Sequence, residues 1–203
     1  MSIRAVIFDL GGVLVRTEDK APRTRLAQRF GLSYADLDRL VFDSPTGAQA
    51  LVGELSEDEH MRQVCAGLGL SEAEIAAFRE AFWGGDRLDE RLVAYIRSLR
   101  PRCQTALLSN AWSGLRPLLE SVWGILDAFD QVFISCELGM AKPDLRVYAH
   151  VVERLGVRPE EAVFVDDFPA NIEAARRAGL QAVHFRSTDQ AMHALSELLG
   201  QEG

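Results

Sequence analysis

Four successive apolar residues, Ala5-Val6-Ile7-Phe8, end abruptly at Asp9 and are followed by Leu10-Gly11-Gly12-Val13-Leu14. Val6, Ile7 and Phe8 are β-branched or aromatic, and an unbroken apolar run of this length predicts a parallel strand covered on both faces. A carboxylate is costly inside such a strand but fits its C-terminal tip, where open α/β sheets bind ligands. Past Leu14 the apolar period becomes helical over residues 16–86. One helix is expected over 21–30, stopping at Gly31, and another from Ser33 with Leu37, Leu40 and Val41 on one face. Ser56 with Glu59 and Ser71 with Glu74 have capping-box spacing and mark two further starts. Turn signals lie at Asp43-Ser44-Pro45-Thr46-Gly47 and at Trp83-Gly84-Gly85-Asp86.

From Leu88 a strict alternation takes over. Helices are expected over 88–100, 115–122, 144–155, from Asp167 to Ala178, and at the C-terminal end. Between them run apolar strands over 105–108, 132–134, 162–165 and 182–185. Strand and helix in alternation predict an α/β fold, a doubly wound parallel sheet of the Rossmann-like kind. The core is expected over 1–15 and 87–203, with 16–86 inserted as an α-helical cap. Gln201-Glu202-Gly203 reads as a frayed end.

At 203 residues and 48% hydrophobic composition the chain can bury roughly 70% of its unfolded surface, so its core needs no disulfide or metal staple. A formal charge of −8 argues against nucleic-acid or anionic-membrane partners, which call for a basic field. Cys65, Cys103 and Cys136 are odd in number, widely spaced and unpaired in sequence, as expected in a reducing, cytoplasmic setting. Ser2-Ile3-Arg4 leads straight into the first strand without a leader pattern, and no apolar run nears the ~20 residues of a membrane span. Lysine occurs only at Lys20 and Lys142, which draws attention to the second.

Right-handed crossovers would bring the strand tips to one edge. That edge would gather Asp9 after the first strand, Ser109-Asn110 after the second, Lys142 in the loop after the third, and Asp166-Asp167 after the fourth. Three clustered carboxylates repel one another, so a cation is the expected occupant, and an all-oxygen donor set favours Mg²⁺ over zinc. Each residue also has a plainer reading: Ser109 as a helix cap, Lys142 as a solvated loop residue, Asp9-Gly11-Gly12 as an ordinary turn.

Four segments, in this order, resemble the haloacid dehalogenase-like hydrolase superfamily: Phe8-Asp9-Leu10-Gly11-Gly12-Val13-Leu14, Leu108-Ser109-Asn110, Lys142-Pro143-Asp144 and Val165-Asp166-Asp167. The resemblance implies an enzyme in which Asp9 is the nucleophile, Ser109 donates to a phosphoryl oxygen and Lys142 balances charge on both. It further implies Mg²⁺ held by Asp9, the Gly11 carbonyl, Asp167 and Asp166, and a small phosphorylated substrate bounded by Leu10, Gly11 and Asn110. In the insertion, Gly53-Glu54-Leu55-Ser56 resembles a turn common in related caps and makes Glu54 the leading substrate contact there; Arg16, His60 and Trp83 are weaker candidates, and Trp112 reads as packing.

Phosphatases of this superfamily usually carry a second Asp two residues past the nucleophile as general acid, and here that position is Gly11. A subgroup resembling bacterial glucose-1-phosphate phosphatases shares the Asp-Leu-Gly pattern, and an anomeric phosphate, with its better leaving group, needs less acid help. Glu18 or Asp19 could supply it instead. The expected function is a Mg²⁺-dependent phosphomonoesterase. A 2-haloacid dehalogenase using the same Asp9, or a feebly catalytic phospho-ligand binder, are the alternatives.

Overall fold

The computed structural model describes residues 2–200, so the expected fraying of Gln201, Glu202 and Gly203 lies outside the described residues. Strands form in chain order as β1 (Ala5–Phe8), β2 (Val15–Thr17), β3 (Asp86–Leu88), β4 (Gln104–Ser109), β5 (Gln131–Ile134), β6 (Ala162–Asp166) and β7 (Gln181–His184). Five of them make a parallel sheet in the order β5-β4-β1-β6-β7, with β1 central. All four β1 residues are buried, as their unbroken apolar run predicts.

Helices α1 (Ala21–Arg29), α2 (Tyr34–Phe42), α3 (Pro45–Leu51), α4 (Glu57–Gly67) and α5 (Ile75–Trp83) fill the insertion between β2 and β3. The sheet is flanked by α6 (Glu90–Leu99), α7 (Leu115–Pro117), α8 (Ser135–Leu138), α9 (Leu145–Leu155), α10 (Pro169–Arg177) and α11 (Thr188–Leu198). Side chains alternate across the sheet. Val6 and Phe8 join Leu92 and Ile96 of α6 and Leu195 of α11 in one buried layer. Ala5 and Ile7 join Val147, Tyr148 and Val151 of α9 and Ala174 of α10 in the other.

Register sets the height of the strand tips. Phe8 pairs with Leu107 on one side and Val165 on the other. Asp9 therefore emerges level with Leu108 and Asp166, and its N–H donates to the Val165 carbonyl (2.9 Å).

Three local features differ from the sequence expectation. β2 and β3 form a short antiparallel ribbon at the root of the insertion, where only a turn is legible. The helix expected over 115–122 is α7 followed by a π turn over Leu118–Val122. Ser71 donates its N–H and hydroxyl to the Glu74 carboxylate as the spacing predicts, but the pair opens a 3₁₀ turn ahead of α5. Ser56 caps α4 by accepting from the Glu59 N–H (3.2 Å), while the Glu59 carboxylate turns away to Arg62 and Gln63.

The insertion has its own core of Leu26, Leu37, Val41, Met61, Phe78 and Phe82, entered from the sheet side by Trp112. Buried within it, Arg23 donates to the Phe82 carbonyl (2.9 Å), to the Tyr34 hydroxyl (3.1 Å), and to Asp38 and Asp86. Its guanidinium lies 4.1 Å from the Phe82 ring centroid.

Candidate active site

The tips of β1, β4 and β6 and the loop between α8 and α9 bring Asp9, Ser109, Asp166 and Lys142 together. All four are buried, at 7%, 3%, 0% and 4% exposure. Lys142 Nζ lies 2.7 Å from Asp9 Oδ1 and 2.8 Å from Asp166 Oδ2, and 5.3 Å from the centroid of the Phe164 ring. Asp9 Oδ1 also accepts from the Leu10 N–H (2.7 Å), whereas Oδ2 has no hydrogen-bond partner among the described residues. Asp9, Asp166 and Asp167 each offer an oxygen within 4.8 Å of the others.

Electrostatics follow from that crowding. Burial, with the Asp166 charge adding to it, pushes the Asp9 carboxyl up to about 7 despite the Lys142 ammonium. Asp167 is raised by the same two causes. The Tyr148 hydroxyl, donating to the Asn171 carbonyl (3.0 Å), is held far above its usual range by burial and by the Asp166 and Asp9 charges.

Asp166 is saturated. It accepts from the Phe168 N–H (2.7 Å), from Asn171 Nδ2 (3.1 and 3.0 Å) and from Lys142. Asp167 is only partly buried, and its main-chain carbonyl accepts from His184 Nε2 (2.9 Å). Its carboxylate lies against Gly12, where φ is +78° and a Cβ would sit 2.2 Å from Asp167 Oδ2. A side chain there would meet both backbone strain and this carboxylate, so Gly12 is the glycine the loop requires. Gly11 is different: it has no positive φ, and a Cβ would meet nothing within 4 Å. Its carbonyl accepts no backbone hydrogen bond among the described residues.

Ser109 caps no helix, since α7 begins only at Leu115 with Gly114 before it. Its hydroxyl has no partner among the described residues. Asn110 is engaged by protein: Nδ2 donates to the Lys142 carbonyl (2.8 Å) and Oδ1 accepts from the Lys142 N–H (2.9 Å). Asp144, which follows the lysine loop, caps α9. Glu54 is exposed, in a turn whose Gly53 lies so close to the Cys136 carbonyl, after β5, that a Cβ would come within 2.2 Å. That contact sets the Gly53 turn, and with it the Glu54 backbone, against α8.

The weaker candidates resolve into structural roles. His60 is fully buried between the Thr46 hydroxyl (2.8 Å) and the Val41 carbonyl (3.0 Å), so it does not face substrate. Arg16 is pinned to Asp89 (2.9 Å) and to the Val13 carbonyl (2.5 Å). Trp83 packs in an aromatic group with Phe42, Phe82 and Trp112. Trp112 packs as expected, though into the insertion, where its indole N–H donates to the Gly47 carbonyl (3.2 Å). Glu18 is exposed and 3.8 Å from Arg16; Asp19 accepts from the Ala21 N–H (2.8 Å). Sequence reasoning missed Asn171 and His184, which hold the paired aspartates. The available signal for Asn171 was an Asn one helical turn past Asp166-Asp167, at the start of a Pro-initiated helix.

Residues 3–179 match the haloacid dehalogenase-like hydrolase family, and the chain belongs to that family. It is a hydrolase by that membership, and phosphatases stand among its relatives. It is 30% identical over 200 residues, 98% of each chain, to a sesquiterpene phosphatase of Aspergillus oryzae. It is also 30% identical over 189 residues, 88% of this chain and 90% of the relative, to a D-ribitol-5-phosphate phosphatase of Bacteroides thetaiotaomicron. Among solved structures, a HAD-like family hydrolase from Porphyromonas gingivalis superposes with a TM-score of 0.80 at 27% identity, each chain covered in full. No helix among the described residues is long and apolar enough to cross a membrane.

Proposed function

We propose that the protein is a Mg²⁺-dependent phosphomonoesterase acting on a small phosphorylated metabolite, with 16–86 as its cap and 1–15 with 87–203 as its core. The observation that carries this is Asp9 at the tip of the central strand, one oxygen held by Leu10 and Lys142 and the other free. The free oxygen attacks phosphorus; the ester P–O bond breaks, and the leaving alkoxide departs with a proton from solvent or an acid. Water then attacks the phosphorus of the aspartyl phosphate, releasing phosphate and restoring the Asp9 carboxylate. Ser109, its hydroxyl unengaged, donates to a phosphoryl oxygen. Lys142 holds positive charge beside both Asp9 and the transferring group, where charge redistributes in the transition state.

The donor set supports a hard cation. Asp9, Asp167 and the Gly11 carbonyl would hold it, and Asp166, its oxygens already occupied, would steady the cluster directly or through water. Three carboxylates share one ammonium here, and the Asp9 carboxyl is raised by burial first and by the neighbouring Asp166 charge second, both of which a bound cation would offset. Bound Mg²⁺ would supply further positive charge to the phosphoryl oxygens. The Leu10 side chain is packed in the core and its N–H holds Asp9, so Leu10 and the exposed Gly11 are proposed to bound the substrate through their main chain, and Glu54 is the cap residue proposed to meet its polar part. The free cysteines support a reducing, cytoplasmic setting.

The test is a phosphomonoester panel with Mg²⁺ and with EDTA, including a polyol phosphate and a terpenyl phosphate after the relatives' names, and glucose 1-phosphate. Phosphate release that stops in EDTA and returns with Mg²⁺ is expected. Metal-indifferent halide release from chloroacetate-like substrates, with no phosphatase activity, would replace this reading with the dehalogenase.

A further inference from the structure

We propose that Asn110 is a positioning residue for Lys142, fixing the lysine backbone so that its ammonium stays between Asp9 and Asp166. This rests on the reading of Lys142 as the cation facing the phosphoryl group. The two opposed hydrogen bonds, Nδ2 to the Lys142 carbonyl and the Lys142 N–H to Oδ1, close a ring between one side-chain amide and one main-chain residue, 32 positions apart in sequence. Lys142 needs such a clamp. It lies in the loop between α8 and α9, outside any strand pairing, and its long stem has many rotamers to lose.

Asn110 is a rigid base for the clamp. It directly follows β4, whose Ser109 is paired with Ile134 of β5. The next residue, Ala111, is tied at both main-chain atoms to one hydroxyl: Ser135 Oγ accepts from its N–H (3.0 Å) and donates to its carbonyl (3.2 Å). The sheet therefore sets the height of Asn110, and Asn110 sets the height of Lys142. Small displacements of a positioned charge cost rate strongly, while the same ammonium can still attract a bound phosphate from slightly further away. Loss of the clamp should fall on turnover more than on binding.

A double-mutant cycle separates this role from direct contact with substrate. With p-nitrophenyl phosphate in saturating Mg²⁺, Asn110→Ala is expected to lower kcat at least about tenfold with KM within about threefold of wild type. In the Lys142→Ala background the same substitution should change kcat by less than about threefold, because the group it positions is gone. Losses that multiply would show Asn110 acting on substrate itself and overturn the proposal. Should Asn110→Ala fail to fold, Asn110→Asp keeps the size and the acceptor for the Lys142 N–H, loses the donor, and enters the same cycle.

Hydrogen exchange at the Lys142 amide, read by NMR, tests the clamp without turnover. Protection present in wild type and lost in Asn110→Ala supports it, and unchanged protection overturns it. A wild-type protein that hydrolyses no phosphomonoester defeats the phosphatase reading instead, and exchange still decides the clamp.

Discussion

Both the helical insertion and the sheet edge bury ionic groups, and they satisfy them in opposite ways. In the insertion, Arg23 spends its guanidinium donors on a carbonyl, a hydroxyl and two carboxylates, and Asp38 and Asp86 still reach solvent, at 30% and 14% side-chain exposure. At the sheet edge, three carboxylates gather around one ammonium, and one of them, Asp166, is sealed from solvent completely. Burying a charge is therefore no sign of function in this chain. The informative feature is burial left short of countercharge, with a hydroxyl and a carboxylate oxygen beside it still unengaged.

The largest test of that contrast is Asp9→Asn. Hydrolysis should fall below about 1% of wild type, since the near-isosteric amide is no nucleophile. Stability should move the other way in metal-free protein. The Asp9 carboxyl titrates at about 7 in the fold against a reference value of 3.8. The folded state thus binds more protons between those values, and stability falls as pH rises through that window. In EDTA, the stability of Asp9→Asn relative to wild type should grow from about pH 4 to about pH 7 and then level off, as chemical denaturation would show. A flat difference would mean that the edge is as well balanced as the insertion.

Lys142→Ala comes next. Removing the single ammonium leaves Asp9 and Asp166 facing each other, and breaking a buried pair typically costs about 3–5 kcal/mol. kcat should drop by more than KM rises; a pure KM effect would reduce Lys142 to a substrate tether. Arg23→Met in the insertion is expected to cost a similar ~3–5 kcal/mol in stability. Its kcat at 25 °C, however, should stay within a few-fold of wild type. A large loss of turnover in the folded Arg23 variant would erase the distinction between the two regions.

The sheet side of the comparison was far easier to read from sequence than the insertion. Asp9 and Asp166-Asp167 interrupt apolar runs at points where a strand must end, so their place follows from local pattern and parallel topology alone. Its position in the loop after the third strand and the scarcity of lysine bring Lys142 near the sheet edge, but its charge-balancing role rests on family resemblance, because nothing local tells a loop lysine where its ammonium goes. β2 and β3 are three residues each and only half-buried, too short for any periodicity to show. Asn110 was read as a substrate contact although its amide is taken by a main chain far along the sequence, a partner that composition cannot reveal. Trp112 looked like core packing and is, but the core it enters belongs to the insertion. His60 is a weak candidate from sequence, as a single polar residue on a helix of the insertion that could face substrate; its burial and its two partners inside the insertion show otherwise.

The smallest effect, and the most selective, is expected at Gly11. Residue 11 lies two positions past Asp9, the proposed nucleophile, where the family resemblance would place a general acid, and Gly11→Asp would supply one. The two glycines of the loop differ in what they allow. Gly12 has φ of +78° and the Asp167 carboxylate against it, so substitution there would disturb the cluster. Gly11 has neither obstacle, and its carbonyl would remain in place for a cation. Stability should accordingly change by less than about 0.5 kcal/mol, as for most unconstrained exposed sites. Protonating an alkoxide leaving group matters far more than protonating a phenoxide that departs readily. Turnover of alkyl phosphates should therefore rise several-fold, well short of the ~10²–10⁴-fold that a fully positioned general acid supplies, while p-nitrophenyl phosphate barely changes. Equal change in both substrate classes would point to an altered cation site rather than a new acid. No gain on alkyl phosphates in an equally stable protein would mean that the acid is supplied elsewhere, and Glu18 and Asp19, at the root of the insertion, would then be substituted in turn.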